Sequence, residues 1–304
     1  MTPFRAPDLL VLGGGGILGE AWMNAVLAGL EEAAGFDARE CEGYIGTSAG
    51  SIVAAALAGG KRPSERLGSL PEPPAQEEPE QVEASSPVTR ALRTGVATAA
   101  APVAALALPT IAPGGALVRR LALSRVPPGK RSLGGLGEQI DSLGAHFDGR
   151  LSVSAVSLES GRRVMFGQPD GPDATVGQAV EASCAIPGFF RPVEIGGASY
   201  VDGGAWSPTN MDAASVSRGT RVLCLNPTGS MAGSLTTPMG AIGLASRSLA
   251  RLEALVLERR GARVDIVSPD EGSLEAIGPN LMDSRPRRGV IAAGLSQGRQ
   301  LGRG

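Results

Sequence analysis

Residues 8–60 read DLLVLGGGGILGEAWMNAVLAGLEEAAGFDARECEGYIGTSAGSIVAAALAGG, and this stretch decides the fold. It opens on a short apolar run at 8–12 bounded by the glycines at 13–16, which predicts a buried strand leaving the core through a glycine loop. Trp22, Val26, Leu30 and Ala33 then recur at near-helical spacing, and Gly35 stands where a left-handed residue would end the helix. The plan repeats with Tyr44-Ile45, the turn GTSAG at 46–50, and an alanine-rich helix at 49–57 that closes at Gly59-Gly60. Two strand–loop–helix units in succession predict an α/β fold with a parallel sheet.

Downstream, the composition changes. Residues 61–130 begin with the Pro/Glu-rich piece PEPPAQEEPEQVEASSP and continue into an Ala/Pro-rich stretch without charge between Arg93 and Arg119. This reads as an insertion over the core. Prolines at 102, 109 and 113 argue against a membrane span. Three readings stay open: a mobile lid, an apolar face touching lipid between the basic flanks Arg90, Arg93, Arg119 and Arg120, or a disordered linker. Regular structure resumes with a hairpin, LSVSAVSL and RRVMF flanking Glu159-Ser160-Gly161, then a helix near 176–183 and a second hairpin around Gly196-Gly197. The strand at 198–201 delivers Asp202 to its end, before Gly203-Gly204. Residues 221–225 and 263–267 read as buried strands and 242–259 as a helix between them.

A chain of 304 residues can bury a full core without disulfide staples. With 42% apolar and 19% charged residues and a formal net charge of −2, it is an ordinary globular protein, and no nucleic-acid partner is implied. Cys41, Cys184 and Cys224 lack metal-site spacing and read as core residues in a reducing compartment. Residues 1–12 lack the pattern of a signal peptide, so the expected address is cytoplasmic, with peripheral membrane contact through residues 90–125.

Three elements carry chemistry. Gly46-Thr47-Ser48-Ala49-Gly50 is a GxSxG between a strand and a helix, the setting of a nucleophile elbow, although the bare pattern also fits a plain strand–helix turn. The glycines before it let backbone N–H groups converge on an anion, which nominates Gly14, Gly15 and Gly16 as an oxyanion hole. Gly14, Gly16 and Gly19 also fit a GxGxxG dinucleotide loop, for which Glu40 or Glu42 would have to bind ribose. Asp202-Gly203-Gly204 places a carboxylate at a strand end, either as a base or as a turn former.

Taken in order, GGGILG, GTSAG and ASCAIPGFFRPVEIGGASYVDGGAWSPTN resemble the patatin-like phospholipase family, over roughly residues 8–60 and 150–212. The resemblance implies a single domain spanning residues 1–304, with 61–130 inserted in it. Its fold would be a three-layer α/β/α sandwich around a mainly parallel sheet. It also implies a serine acyl hydrolase acting on lipid or other ester substrates, with Ser48 as nucleophile, Asp202 as its partner and the amides of Gly14 to Gly16 as oxyanion hole. Such a dyad calls for no metal and no organic cofactor. Leu18 departs from the family's GGGxRG, removing a cation that could steady the loop or meet a phosphate. A catalytically silent lipid-binding or interaction protein on the same fold is the reading from another class. An aspartate base with a pKa near ~4 predicts no activity limb near pH ~6.5. The sole histidine, His146, falls between serine and aspartate in the chain and reads as a packing or surface residue. Pro187, Phe189 and Phe190 read as a turn packed on the core or as walls of an acyl pocket.

Overall fold

The computed structural model of the chain describes residues 4–68, 115–231 and 238–304. All four residues of β1 (Leu9–Leu12) are buried, as a strand covered on both faces must be. The chain passes into α1 (Gly16–Ala34), which ends at Gly35 in the left-handed conformation, φ 69°, with its N–H donating to the Glu31 carbonyl. β2 (Gly43–Thr47) leads into α2 (Ala49–Ala58). After α3 (Gly115–Ser124) and α4 (Leu136–Asp141) come β3 (Leu151–Ser157) and β4 (Arg163–Phe166), paired as the first expected hairpin. α5 (Val176–Cys184) starts with a capping box made by Thr175 and Gln178. β5 (Val193–Ile195) and β6 (Ala198–Asp202) form the second hairpin, turning through Gly196 and Gly197 with φ of 59° and 82°. β7 (Arg221–Leu225), α6 (Pro238–Arg259), β8 (Arg263–Val267), α7 (Glu271–Ile277) and α8 (Arg287–Arg303) complete the order.

The strands form one sheet in the order β5-β6-β3-β2-β1-β7-β8, with β4 paired to β3. From β3 to β8 every neighbour is parallel, while β4, β5 and β6 are antiparallel. Alternate residues of β1 enter separate cores. Leu10 and Leu12 pack with Trp22, Val26, Val53 and Val180 of the helices on one face. Leu9 and Val11 join Ala250, Ala254 and Leu257 of α6 on the other. Helices on both faces of a mainly parallel sheet make the three-layer sandwich that the family resemblance implied.

Register brings two distant loops to one level. Thr47, the last residue of β2, lies opposite Ser154, and Asp202, the last residue of β6, lies opposite the next residue of β3, Ala155.

Two expectations need correction. β8 is an edge strand with Arg263 and Asp265 exposed, not a buried one, because no strand among the described residues pairs with its outer side. Arg119 is not a solvent-facing flank. It is 1% exposed, its Nε donates to the Ala205 carbonyl at 3.1 Å and its Nη1 to the Gly161 carbonyl at 2.7 Å, and the guanidinium stacks on Trp206 at 4.1 Å. The rest of the lid or lipid-face reading concerns residues 69–114, which lie outside the described residues. No helix among the described residues is long and apolar enough to cross a membrane.

The C-terminal helix α8 was not anticipated. It packs on α1 through small residues: a Cβ on Gly298 would lie 2.2 Å from the Val26 carbonyl oxygen, and one on Gly29 would lie 2.4 Å from the Leu295 carbonyl oxygen. The seam is fastened by buried Gln297, which accepts from Trp22 Nε1 and Ser273 Oγ, each at 2.9 Å. Cys41, Cys184 and Cys224 are buried free thiols, as expected of core residues.

Candidate active site

The GTSAG turn is built on two close approaches. A Cβ on Gly46 would sit 2.4 Å from Ser51 Cα, and one on Gly50 would sit 1.9 Å from the Leu12 carbonyl oxygen, so neither position admits a side chain. Between them Ser48 adopts φ 51° and ψ −122°, a conformation non-glycine residues avoid. Such strain persists only where the surroundings over-determine it. Here the Ser48 N–H donates to Ser183 Oγ at 2.8 Å, and Ser51 Oγ donates to the Ser48 carbonyl at 2.6 Å.

This geometry aims the Ser48 hydroxyl at Asp202. Ser48 Oγ donates to Asp202 Oδ2 at 2.7 Å, across 154 residues of sequence. The other carboxylate oxygen accepts from the Gly204 N–H at 2.7 Å, and the Asp202 N–H donates to the Ala185 carbonyl at 2.9 Å. Both carboxylate oxygens are thus held before any substrate arrives. Burial raises the Asp202 pKa to about 6, against the opposing pull of the Ser48 and Gly204 hydrogen bonds. Desolvation thus moves this carboxyl from the ordinary range near ~4 expected from the sequence toward that of an imidazole.

Three glycines were expected to supply oxyanion donors, and the structure divides them. The Gly14 N–H is committed to the Pro208 carbonyl at 2.9 Å, which removes it from the set. Neither Gly15 nor Gly16 donates its N–H to another group among the described residues. Both stand at the start of α1, where the first N–H groups lack intrahelical acceptors and the helix dipole favours negative charge. Leu18 is fully buried in the core and its N–H donates to the Leu281 carbonyl at 3.0 Å, so the loop is held without the missing cation.

The other sequence readings separate cleanly. Glu40 and Glu42 are exposed and precede β2, at the end of the strands opposite the glycine loop, so neither meets a ligand bound there and the dinucleotide reading fails. His146 is exposed and precedes β3, whereas Ser48 follows the far end of parallel β2. His146→Gln is accordingly expected to keep ester hydrolysis within about twofold of wild type, measured as kcat/KM on a soluble ester. Phe189 and Phe190 pack edge to face at 4.8 Å, and Arg131 covers Phe189 at 4.3 Å. Among the described residues no cluster of His, Cys, Asp or Glu could hold a metal ion.

Two residues of consequence escaped the sequence reading. Ser183 fixes the nucleophile's backbone, as above. Asn210, φ 51° and fully buried, donates from Nδ2 to the Ser207 carbonyl at 2.6 Å, to Thr47 Oγ1 and Ser154 Oγ at 3.1 Å, and to the Gly203 carbonyl at 3.3 Å. Both lie inside the long segment that carried the family resemblance, which was the only signal available for them.

Comparison with known proteins adds a family. The sequence model of the patatin-like phospholipases matches residues 10–215. Among solved structures, the chain is similar to VipD from Legionella pneumophila at 15% identity and a TM-score of 0.45, over 98% of this chain and 67% of that one. It is also similar to the type III effector protein ExoU at 17% identity and a TM-score of 0.43, over 99% of this chain and 53% of that one. The chain thus spans about half the length of ExoU. No curated relative matches the sequence.

Proposed function

The chain belongs to the patatin-like phospholipase family, and from that premise we propose that it is a serine acyl hydrolase cleaving carboxylic esters of lipids through a Ser48–Asp202 dyad. The observation that carries this reading is the 2.7 Å hydrogen bond from a strained serine to a buried, uncompensated carboxylate. Above its pKa, Asp202 takes the proton as Ser48 Oγ bonds to the ester carbonyl carbon. The tetrahedral oxyanion then lies against the free N–H groups of Gly15 and Gly16. Collapse breaks the ester C–O bond, and the departing alkoxide takes the proton from Asp202. Water repeats the sequence on the acyl-enzyme: its proton passes to Asp202 and then to Ser48 Oγ as the fatty acid leaves.

Peripheral contact with a membrane is part of the same proposal. Leu117, Val118 and Leu121 of α3 are 59%, 50% and 49% exposed, with Arg120 exposed beside them, a pattern suited to an anionic interface. The experiment is fatty-acid release from phospholipid vesicles with and without an anionic lipid, alongside a soluble ester. Release is expected from both vesicles, fastest from the anionic one, with that advantage lost in high salt. Turnover of the soluble ester with equal rates on the two vesicles would remove the membrane contact. No turnover of any ester would leave the silent-binding alternative.

A further inference from the structure

We infer that Glu253, on α6 and beyond the residues matched to the family, is a positioning residue whose buried carboxylate holds the 207–211 loop against all three parts of the site. The inference rests on the hydrolase reading above and extends it to a side chain that touches neither Ser48 nor Asp202.

Glu253 makes no ion pair among the described residues, yet it is buried, on the helix whose Ala250, Ala254 and Leu257 pack against β1. Its Oε2 accepts from the Thr209 hydroxyl and, at 2.9 Å, from the Met211 N–H. Two donors from one loop, a hydroxyl and a backbone amide, thus converge on one carboxylate oxygen.

What that loop does explains the choice. Its Pro208 carbonyl accepts the Gly14 N–H, setting the strand of glycines whose next two amides remain free. Its Thr209 carbonyl accepts from Thr47 Oγ1 at 3.4 Å, beside the nucleophile. Its Asn210 amide reaches the Gly203 carbonyl, in the turn whose next N–H holds Asp202. One five-residue loop therefore locks glycine cradle, nucleophile strand and base turn into a common register, and Glu253 is the anchor beneath it. An unpaired buried carboxylate is an expensive way to fasten a loop, and an apolar side chain could not satisfy the donors.

The groups facing Glu253 set its behaviour with pH. Asp212, at the end of the loop, repels it, although Arg163 pairs with Asp212 at 2.9 Å and Arg260 donates to the Asp212 carbonyl. From β7, Cys224 presents a thiol that burial keeps neutral. Burial first, and Asp212 second, raise the Glu253 pKa above the ordinary carboxylate range. Acidification therefore protonates both Asp202 and Glu253.

The test is the pH profile of kcat and KM on a soluble ester for wild type, Glu253→Gln, Glu253→Ala and Thr209→Val, with rates expressed per serine labelled by a fluorophosphonate. Wild-type kcat/KM should fall on acidification with about two protons, whereas Glu253→Gln, which holds the neutral state at every pH, should be slower than wild type at high pH and fall with about one. Glu253→Ala should lose at least roughly tenfold in kcat with KM little changed, and Thr209→Val a smaller share. Should Glu253→Ala fail to fold, Glu253→Gln and Thr209→Val still decide the question. Variants that are less stable but have wild-type kcat and pH slope would reduce Glu253 to a structural role and overturn the inference. A wild-type protein that neither labels nor turns over would instead overturn the hydrolase reading, and this inference with it.

Discussion

Asp202→Asn is expected to lower kcat by roughly 10²- to 10⁴-fold and, at pH 8, to make the protein more stable. The first effect follows from removing the acceptor of the serine proton, a contribution of that order for a positioned base. The second follows from where the carboxylate sits. Asp202 is 3% exposed and has no cation partner among the described residues, and burial moves its pKa from 3.8 to about 6. A carboxyl raised in the fold contributes fully below its unfolded pKa, and that contribution is lost as pH rises through the folded value. At pH 8 the ionised group therefore costs the fold about 3 kcal/mol, relative to the protonated form. An asparagine carries no charge to desolvate and still accepts from the Gly204 N–H, so most of that cost should disappear. Thermal unfolding of the two proteins should diverge at pH 8, with the variant higher by several degrees, and converge near pH 4. Equal melting temperatures at both pH values would mean that the carboxylate is hydrated and its pKa is not raised.

Ser48→Ala has the larger catalytic effect. Without the hydroxyl no acyl-enzyme can form, and rate losses of roughly 10⁴- to 10⁶-fold in kcat are typical when a nucleophile of this kind is removed. Asp202 Oδ2 also loses its donor, so the carboxyl is pushed further up and is protonated over a wider range. The strained backbone should survive, because Gly46 and Gly50 still set the close approaches of β2, α2 and β1, and the Ser48 N–H bond to Ser183 involves only the main chain of residue 48. Circular dichroism and melting of Ser48→Ala should therefore stay near wild type while hydrolysis vanishes. Residual turnover within a hundredfold of wild type would show that another group attacks the ester.

The two halves of the site were legible to different degrees. Residues 8–60 announce their architecture because each strand is a short apolar run closed by glycine and each helix has a matching period. Asp202 was legible as a strand end because Gly196-Gly197 fixes the hairpin before it. The meeting of Ser48 with Asp202 was not readable from spacing. It depends on Thr47 and Asp202 falling opposite neighbouring residues of β3, a non-local register that only the motif order of a family could suggest. The helix α8 was missed because Gly294, Gly298 and Gly302 look like helix breakers, whereas in the fold they are the contact surface against α1. Gly14 was assigned as a donor because glycine spacing does not show which amide a carbonyl has already taken. Arg119 looked like a membrane flank because it follows a long uncharged stretch and stands beside Arg120, while its acceptors, Ala205 and Gly161, come from far along the chain.

The most direct measurement is the site and pH dependence of covalent labelling by a fluorophosphonate, read by peptide mapping. One label on Ser48 is expected, at a rate that falls as pH drops through about 6, and it should be slowed strongly in Asp202→Asn and absent in Ser48→Ala. Label on a different residue, or on Ser48 at a rate indifferent to Asp202→Asn, would contradict the dyad.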